Sequence, residues 1–263
     1  MGDVLALVIG VLLSLLGGGG SILTVPVLVY MYHFPPAIAT AYSLLIVGSA
    51  SLLGCLDYLR RGLASPKTAL FFSFPSFAMV FSTRKWLVPA LPNVLFTWGN
   101  FTVTKNLMMM IVFAVLMLLA AQSMIRGKTK KIDDGEEIIK RLNYPLIFVE
   151  GLLVGMLTGF VGVGGGFLII PVLANFVRLP MKLAVGTSLM IIAINSCIGF
   201  LGDLGQYPMD WPFLIRFMSL TLIGVVLGTG LSRRIPGHVL KPAFGWFTLA
   251  MGTAILIKEL WVH

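Results

Sequence analysis

Two glycine-rich stretches interrupt apolar segments of this chain, and their backbone groups are its best candidates for binding chemistry. The first is Gly17–Ser21 (GGGGS), and the second is Gly162–Gly166 (GVGGG). Glycine weakens a helix interior by about 1 kcal/mol relative to alanine, so both stretches predict a break in a helix. A helix that restarts after such a break presents unpaired N–H groups and a partial positive charge, and these bind anions. The pattern therefore predicts an anion site built from backbone groups.

Polar side chains near the two breaks extend this predicted anion site. Serine and threonine in a helix more often bond to their own backbone than to a ligand, and glycine runs also permit tight helix packing, so both alternatives stand beside the binding interpretation. Ser43 and Ser188 are better supported, because they recur at equivalent positions in the two halves of the chain. The predicted substrate-binding residues are Gly19, Gly20, Ser21, Thr24, Ser43, Gly164, Gly165, Gly166, Thr187, Ser188 and Asn195.

Carboxylates near membrane-embedded helices are candidates for carrying protons. Asp57 and Asp203 end two predicted helices, and Glu150 lies in the first turns of a third. These three are the proton-coupling candidates, with capping or solvated roles as the favoured alternative. The histidines all lie at segment ends, and neither cysteine belongs to a CxxC motif. We therefore predict no catalytic residue, no metal site, no cofactor and no enzymatic activity.

The composition places these residues in a membrane. The chain has 263 residues, of which 58% are hydrophobic and 11% charged, whereas soluble domains carry about 25% charged residues. Apolar windows of about 20 residues, the length that crosses a bilayer as a helix, recur along the whole sequence. The net charge of +9 comes from short basic clusters between these windows, as in cytoplasmic loops rather than nucleic-acid-binding surfaces. The sequence predicts an all-α, multi-pass membrane protein that binds no nucleic acid.

The chain contains an internal duplication. With an offset of 145 positions, residues 17–54 align with 162–199 without a gap. This alignment predicts an N-terminal repeat at 1–125, a charged cytoplasmic linker at 126–141 and a C-terminal repeat at 142–263. Each repeat holds one glycine-broken unit and three further helices, at about 3–32, 36–57, 67–83 and 104–125 in the first and about 144–177, 181–202, 211–232 and 239–260 in the second.

The distribution of Lys and Arg favours a re-entrant path for the two broken units. If all eight units cross the membrane, the loops on the two sides carry 8 and 10 basic residues, which decides nothing. If each broken unit enters and leaves on one side, the counts become 14 and 4, with Arg84, Lys85, Lys105 and Lys258 on the poorer side. Three crossings per repeat then invert the second repeat relative to the first. We predict hairpins with both termini outside, and full crossings remain the alternative.

The broken units and the segments that follow them resemble a known family of membrane permeases. Each break precedes a Pro-Val-Leu sequence and then an Ala-x-x-x-Ser-Leu motif, at Ala39–Leu44 and Ala184–Leu189. These motifs, the duplicated halves, the charged linker and the length resemble the TauE/SafE family of sulfite and organosulfonate permeases. The resemblance covers nearly the whole chain, and the second half carries the pattern more fully than the first.

The resemblance implies a secondary transporter of small sulfur-containing anions, such as sulfite, sulfoacetate or related sulfonates, in the inner (cytoplasmic) membrane. It implies export by alternating access, with one half rocking against the other around the paired glycine breaks. A passive channel for small anions and a membrane scaffold without transport are the alternatives. The implied partners are the sulfur oxyanion or sulfonate substrate and the lipid bilayer, and the sequence predicts no oligomeric state.

Overall fold

The computed structural model describes residues 2–98, 101–126, 144–162, 165–177, 179–232, 234–235 and 237–262. The predicted linker at 126–141 lies outside this set apart from Arg126, and so does the predicted site residue Gly164. The described chain is almost entirely helical, which confirms the predicted all-α membrane fold. One small two-stranded hairpin interrupts the helices, and the sequence analysis did not predict it.

The first half begins with two short helices on either side of the first glycine break, and longer helices follow. Its helices are α1 (Gly2–Leu16), α2 (Gly19–Tyr30), α3 (Pro36–Arg60), α4 (Pro66–Ser82), α5 (Val88–Ala90) and α6 (Lys105–Arg126). A π-helical turn at Thr83–Leu87 joins α4 to α5 without a break. The antiparallel strands β1 (Val94–Trp98) and β2 (Phe101–Thr104) lead into α6.

In its described residues, the second half repeats this order without the hairpin and without a counterpart of α5. Its helices are α7 (Tyr144–Val161), α8 (Gly166–Pro171), α9 (Met181–Asp203), α10 (Trp211–Ser232) and α11 (Gly237–Val262). A second π-helical turn at Val172–Phe176 extends α8, so this short helical arm has a length similar to that of α2. Helix bounds in both halves lie close to the predicted units, because the apolar runs and their flanking prolines mark them clearly.

Among the residues that the structure describes, five helices are long and apolar enough to span a bilayer: α3, α6, α9, α10 and α11. Helix α4 has 17 residues, and its continuation through the π-helical turn lengthens the same rod. Helix α1 has 15 residues, which gives a rise of about 22 Å and falls short of a hydrocarbon core of about 30 Å. The molecule is therefore a membrane-embedded helical bundle whose first helix is too short to cross.

The first broken unit turns back on itself. Gly17 adopts a left-handed conformation with a φ of 67°, which glycine reaches without steric cost. Helix α2 then packs along α1, so that a Cβ atom added to Gly20 would lie 2.5 Å from Cβ of Leu13. At the far end, a side chain at Gly2 would overlap the phenol of Tyr32. The two ends of the unit lie together, which supports the predicted hairpin over a full crossing.

Backbone details recur at the offset of 145 residues. Gly17 and Gly162 have φ angles of 67° and 71°, and each N–H donates to the carbonyl four residues earlier. Pro35 and Pro180 precede the next long helix with ψ angles of 139° and 140°. The connections before these prolines carry matching hydrogen bonds as well. These correspondences support the division into two structural repeats.

The repeats face each other through antiparallel helix pairs. Along α3 and α9, Gly54 packs against Leu189 while Gly199 packs against Leu44, so the residue numbers run in opposite directions. Helices α6 and α11 also pair in this antiparallel sense. Equivalent helices that meet antiparallel require a two-fold axis perpendicular to them. This geometry supports the predicted inversion of the second repeat.

The first helix of each half packs on the second of the three helices that follow the broken unit in the other half. Helix α1 lies against α10, where Gly10 faces the backbone of Thr221, and α7 lies against α4, where Gly155 faces the backbone of Ser76. Both contacts are 145 positions apart on both sides, so they are equivalent. Small residues let helix backbones approach closely in a membrane. The two repeats are thereby interlocked, and their outer surfaces carry the exposed apolar side chains.

Candidate functional site

The two glycine breaks meet at the N-termini of α2 and α8. Gly18 precedes α2, and Gly166 is the first residue of α8. A Cβ atom added to Gly18 would lie 2.5 Å from the carbonyl oxygen of Gly166, and one added to Gly166 would lie 2.7 Å from Cα of Gly18. Only glycine permits so close an approach. The breaks converge, and in this conformation their backbones touch directly.

The first break also lies against the start of α9. A Cβ atom on Gly17 would come within 2.9 Å of the Ser188 hydroxyl oxygen and of a methyl group of Val185. Ser188 is fully buried, and its hydroxyl donates to the Val185 carbonyl over 2.8 Å. The structure therefore brings Ser188 to the break. The Ser188 hydroxyl oxygen can still accept a hydrogen bond on the side that faces Gly17.

Two other predicted hydroxyls are bonded within their own helical segment. Ser21 donates to the Gly18 carbonyl over 2.5 Å, and Thr24 donates to the Gly20 carbonyl over 3.0 Å. This is the alternative that the sequence analysis set beside ligand binding. Ser43 differs from its repeat equivalent, because its buried hydroxyl has no hydrogen-bond partner within the described chain.

Thr187 and Asn195 lie on α9 but contact other parts of the first repeat. The Thr187 hydroxyl accepts from the N–H of Ser65 over 3.0 Å, which ties α9 to the loop before α4. Asn195 donates to the Ser76 hydroxyl over 2.7 Å, and its amide oxygen has no partner among the described atoms. Their bonds run to α4 and the preceding loop rather than to the glycine breaks.

The second break carries a hydroxyl that the sequence analysis missed. Gly165, with a φ of 72°, precedes α8 and faces Thr158, so a Cβ atom there would overlap the threonine hydroxyl. Thr158 is buried, and its hydroxyl has no hydrogen-bond partner in the part of the chain that the structure describes. Nothing in the sequence repeat pointed to it, because the equivalent position is Leu13.

An arginine is buried beside the second break. Arg84 lies in the π-helical turn after α4, and its side chain is 0% exposed. Its Nη1 atom donates to the Thr40 hydroxyl over 3.0 Å and lies 3.2 Å from a carboxylate oxygen of Asp203. The remaining guanidinium atoms, Nε and Nη2, have no hydrogen-bond partner among the described residues. This is a buried ion pair with unused donors.

The guanidinium of Arg84 lies directly on the glycine break. A side chain at Gly162 would overlap Nη2 of Arg84 and would also run into Thr40. The charge count assigns Arg84 to a loop between membrane segments, and that assignment is wrong, because the residue lies in a buried helical turn. The apolar residues after Lys85 indicate that the helix continues past the two basic residues, but they do not indicate that Arg84 is buried.

The three predicted proton-coupling residues occupy different surroundings. Asp57 pairs with Arg61 one turn away near the end of α3, which matches the helix-end role. Glu150 is half-buried on α7, and one of its carboxylate oxygens has no partner in the described structure. Asp203 is 0% exposed, and apart from its ion pair with Arg84 its carboxylate oxygens have no hydrogen-bond partner among the described residues. The favoured solvated role does not hold for Asp203.

Charged groups also influence the loop after α9. Burial raises the pKa of the Tyr207 phenol, the Asp203 carboxylate adds to this increase, and Arg84 opposes it. Tyr207 therefore stays a neutral hydrogen-bonding group near the buried ion pair.

Across the described ranges, no cluster of three or more His, Cys, Asp and Glu residues could hold a metal ion.

Comparison with known proteins places this architecture. The family model described as "Sulfite exporter TauE/SafE" matches residues 4–255. The chain belongs to the TauE/SafE family. This TauE/SafE chain is 27% identical to a "Probable membrane transporter protein" of Xylella fastidiosa (strain 9a5c), over 95% of this chain and 92% of that one. No solved structure matches the chain.

Two Bacillus subtilis (strain 168) proteins are similar along most of their length. The "Probable membrane transporter protein YunE" is 27% identical over 88% of both chains. The "Probable membrane transporter protein YdhB" is 23% identical over 95% of this chain and 96% of its own. Family and relatives identify the TauE/SafE protein described here as a membrane transporter.

Proposed function

We propose that this TauE/SafE protein is a secondary transporter that exports small sulfur-containing anions, such as sulfite, sulfoacetate or related sulfonates, across the cytoplasmic membrane. The observation that carries the proposal is the contact between Gly18 and Gly166. Two helices restart there from opposite repeats, and helix N-termini attract anions through N–H groups and the helix dipole. Broken helices that meet at a repeat interface mark substrate sites in other transporter folds.

The arrangement is consistent with alternating access. The Gly18–Gly166 contact joins the two repeats, so a rocking motion of one repeat against the other would separate and rejoin it. An oxyanion would enter when the backbones part and would be held by the N–H groups of the two helix starts. Ser188, already beside Gly17, would supply a hydroxyl to the same space.

The proposal is tested by sulfite and sulfonate flux in proteoliposomes with wild-type protein and the Gly166→Ala variant. A methyl group at Gly166 would press against Cα of Gly18 and the Ile192 side chain. We expect flux to fall at least about tenfold, because displacement of positioned groups by about 1 Å has effects of this order or more. Gly230→Ala is the matched control, since the space around Gly230 is open.

Each outcome separates the proposal from its alternatives. Efflux that depends on a proton or sodium gradient and is lost in Gly166→Ala but kept in Gly230→Ala supports a secondary transporter. Ohmic conductance without gradient coupling would identify a passive anion channel. Folded wild-type protein that moves none of these anions would contradict the proposal and would favour a scaffold.

A further inference from the structure

We propose that Arg84 is an anion-binding residue of this protein and that Asp203 is the resident counter-ion which the bound oxyanion replaces. The inference rests on the proposed function, because it assigns a side-chain ligand to the same anion pathway. It rests on different residues, however. The helix starts at Gly18 and Gly166 contribute backbone groups, whereas Arg84 contributes a full positive charge at Gly162, four residues before Gly166.

The guanidinium of Arg84 has hydrogen-bond donors that the described protein does not use. Arg84 is completely buried, yet only Nη1 has protein partners, the Thr40 hydroxyl and the Asp203 carboxylate. Nε and Nη2 have none within the described ranges, and Nη2 lies against the backbone of Gly162. Buried donors without partners carry a substantial free-energy cost. A planar oxyanion edge matches a guanidinium fork with two parallel hydrogen bonds.

The counter-ion, Asp203, is held by few contacts. Asp203 lies 3.2 Å from Nη1 of Arg84, and apart from this ion pair its carboxylate oxygens have no hydrogen-bond partner in the described chain. A buried pair that stabilises a fold normally satisfies its remaining lone pairs. Asp203 is the last residue of α9 and is followed by the loop at 204–210, so it has a route away from Arg84. The geometry suits an exchangeable partner.

The two glycine breaks differ in the residues at the positions of Arg84 and Asp203. The residue equivalent to Arg84 in the second repeat is Thr229, which is half-buried and bonds to the Val226 carbonyl of its own helix. The residue equivalent to Asp203 is Tyr58, which is neutral. Helix packing is shared by both repeats and therefore does not explain the charges. A ligand that binds at one end only does explain them.

A −SO₃⁻ group matches the charge of Arg84. It is monovalent and offers oxygen edges that could accept from Nε and Nη2. Lys105 is a second buried cation, but its ammonium donates to the Val88 carbonyl. Carboxylates and nitrate share the planar oxyanion edge, so the test compares them with the sulfur anions.

The test measures anion binding to purified full-length protein in detergent by calorimetry, with sulfite, sulfoacetate, acetate and nitrate as probes. We expect Arg84→Gln to weaken binding at least about 30-fold, because it removes a buried, charge-assisted contact. Asp203→Asn should strengthen binding about tenfold, since the competing carboxylate is gone. A purely structural ion pair would not give tighter binding on removal of its acid. Arg216→Gln is the control, because the Arg216–Asp3 pair is exposed and should leave affinity unchanged.

Arg84→Gln leaves Asp203 buried without a cation and can fail to fold. The double variant Arg84→Gln/Asp203→Asn keeps the site neutral and should fold without binding the anion. Sulfur-anion binding that survives in this double variant overturns the inference and leaves the proposed function intact. Binding of acetate or nitrate alone, lost in the double variant, supports the inference and overturns the sulfur substrate. Absence of binding by wild-type protein to all four probes overturns both.

Discussion

Tyr58 and Asp203 occupy equivalent positions in the two repeats, and both are buried at the C-terminal ends of the paired helices α3 and α9. The Tyr58 phenol donates to the Ser14 carbonyl of α1 over 3.1 Å. Asp203 instead faces the Arg84 guanidinium. One end of the central helix pair is thus closed by a neutral hydrogen bond, and the other holds a buried ion pair with free donors.

The buried Tyr58 phenol is expected to have a structural role. Tyr58→Phe removes one buried hydrogen bond and should lower the free energy of unfolding by about 1 kcal/mol. Anion flux in proteoliposomes should stay near the wild-type value, because the phenol bonds to α1 rather than to the glycine breaks. Thermal unfolding in detergent and a flux assay on the same preparation check both parts. A large loss of flux with unchanged stability would place Tyr58 in the transport pathway.

Gly165 should be intolerant of a side chain for two separable reasons. It has a φ of 72°, and a Cβ atom would overlap Thr158. Gly62 has a similar φ of 67° but nothing within 4 Å of the added atom. We expect Gly62→Ala to cost about 1 kcal/mol from backbone strain, and Gly165→Ala about 2–3 kcal/mol because overpacking adds to the strain. Equal losses in unfolding measurements would show that Thr158 moves aside freely.

The interlocking glycines should be essential for assembly of the bundle. Gly155→Leu would drive a side chain into the Ser76 backbone and separate α7 from α4. We expect the variant to be lost from the monodisperse peak in size-exclusion chromatography, because backbones in close contact cannot accept a large side chain without moving. Gly230→Leu points into open space and should elute as wild type. Normal elution of both variants would show that α7 is not packed as described.

The hairpin path makes a topological prediction. Gly2 and Tyr32 lie together, so residues at both ends of the first broken unit should be on the outer side of the membrane. In a variant without Cys55 and Cys197, single cysteines at Asp3→Cys and His33→Cys should both react with an impermeant thiol reagent in intact cells. Reaction of only one of them would indicate a full crossing. Reaction of neither before lysis would reverse the orientation that the positive-inside rule predicts.

Helix bounds and the two breaks could be predicted from the sequence because apolar runs, glycine and proline act locally. The predicted unit at 211–232 coincides with α10, and Pro35 and Pro180 mark helix starts in both repeats. The duplication made the two breaks recognisable as a pair in the sequence, and Gly18 and Gly166 are in contact in the structure. The roles of the predicted site residues remain predictions.

The burial of Arg84 could not be predicted, because it depends on tertiary packing. A basic residue after an apolar run is typical of a loop, and the π-helical turn that carries Arg84 inward has no clear sequence signature. The contact between Thr158 and Gly165 could not be predicted either, because it depends on how the chain folds between α7 and α8. Conversely, Thr187 lies within the motif at Ala184–Leu189 and Asn195 follows it, but their side chains bond to Ser65 and Ser76.

The exchange of first helices between the repeats has a consequence for biosynthesis. Gly10 on α1 packs against Thr221 on α10, and a ribosome adding about 5–20 residues per second needs roughly 10–40 s to make the chain between them. The first hairpin must therefore wait in the bilayer with an uncovered groove of small residues until α10 is inserted. Truncated chains that end before α10 should be recognised by membrane quality-control proteases, since this groove never finds its partner.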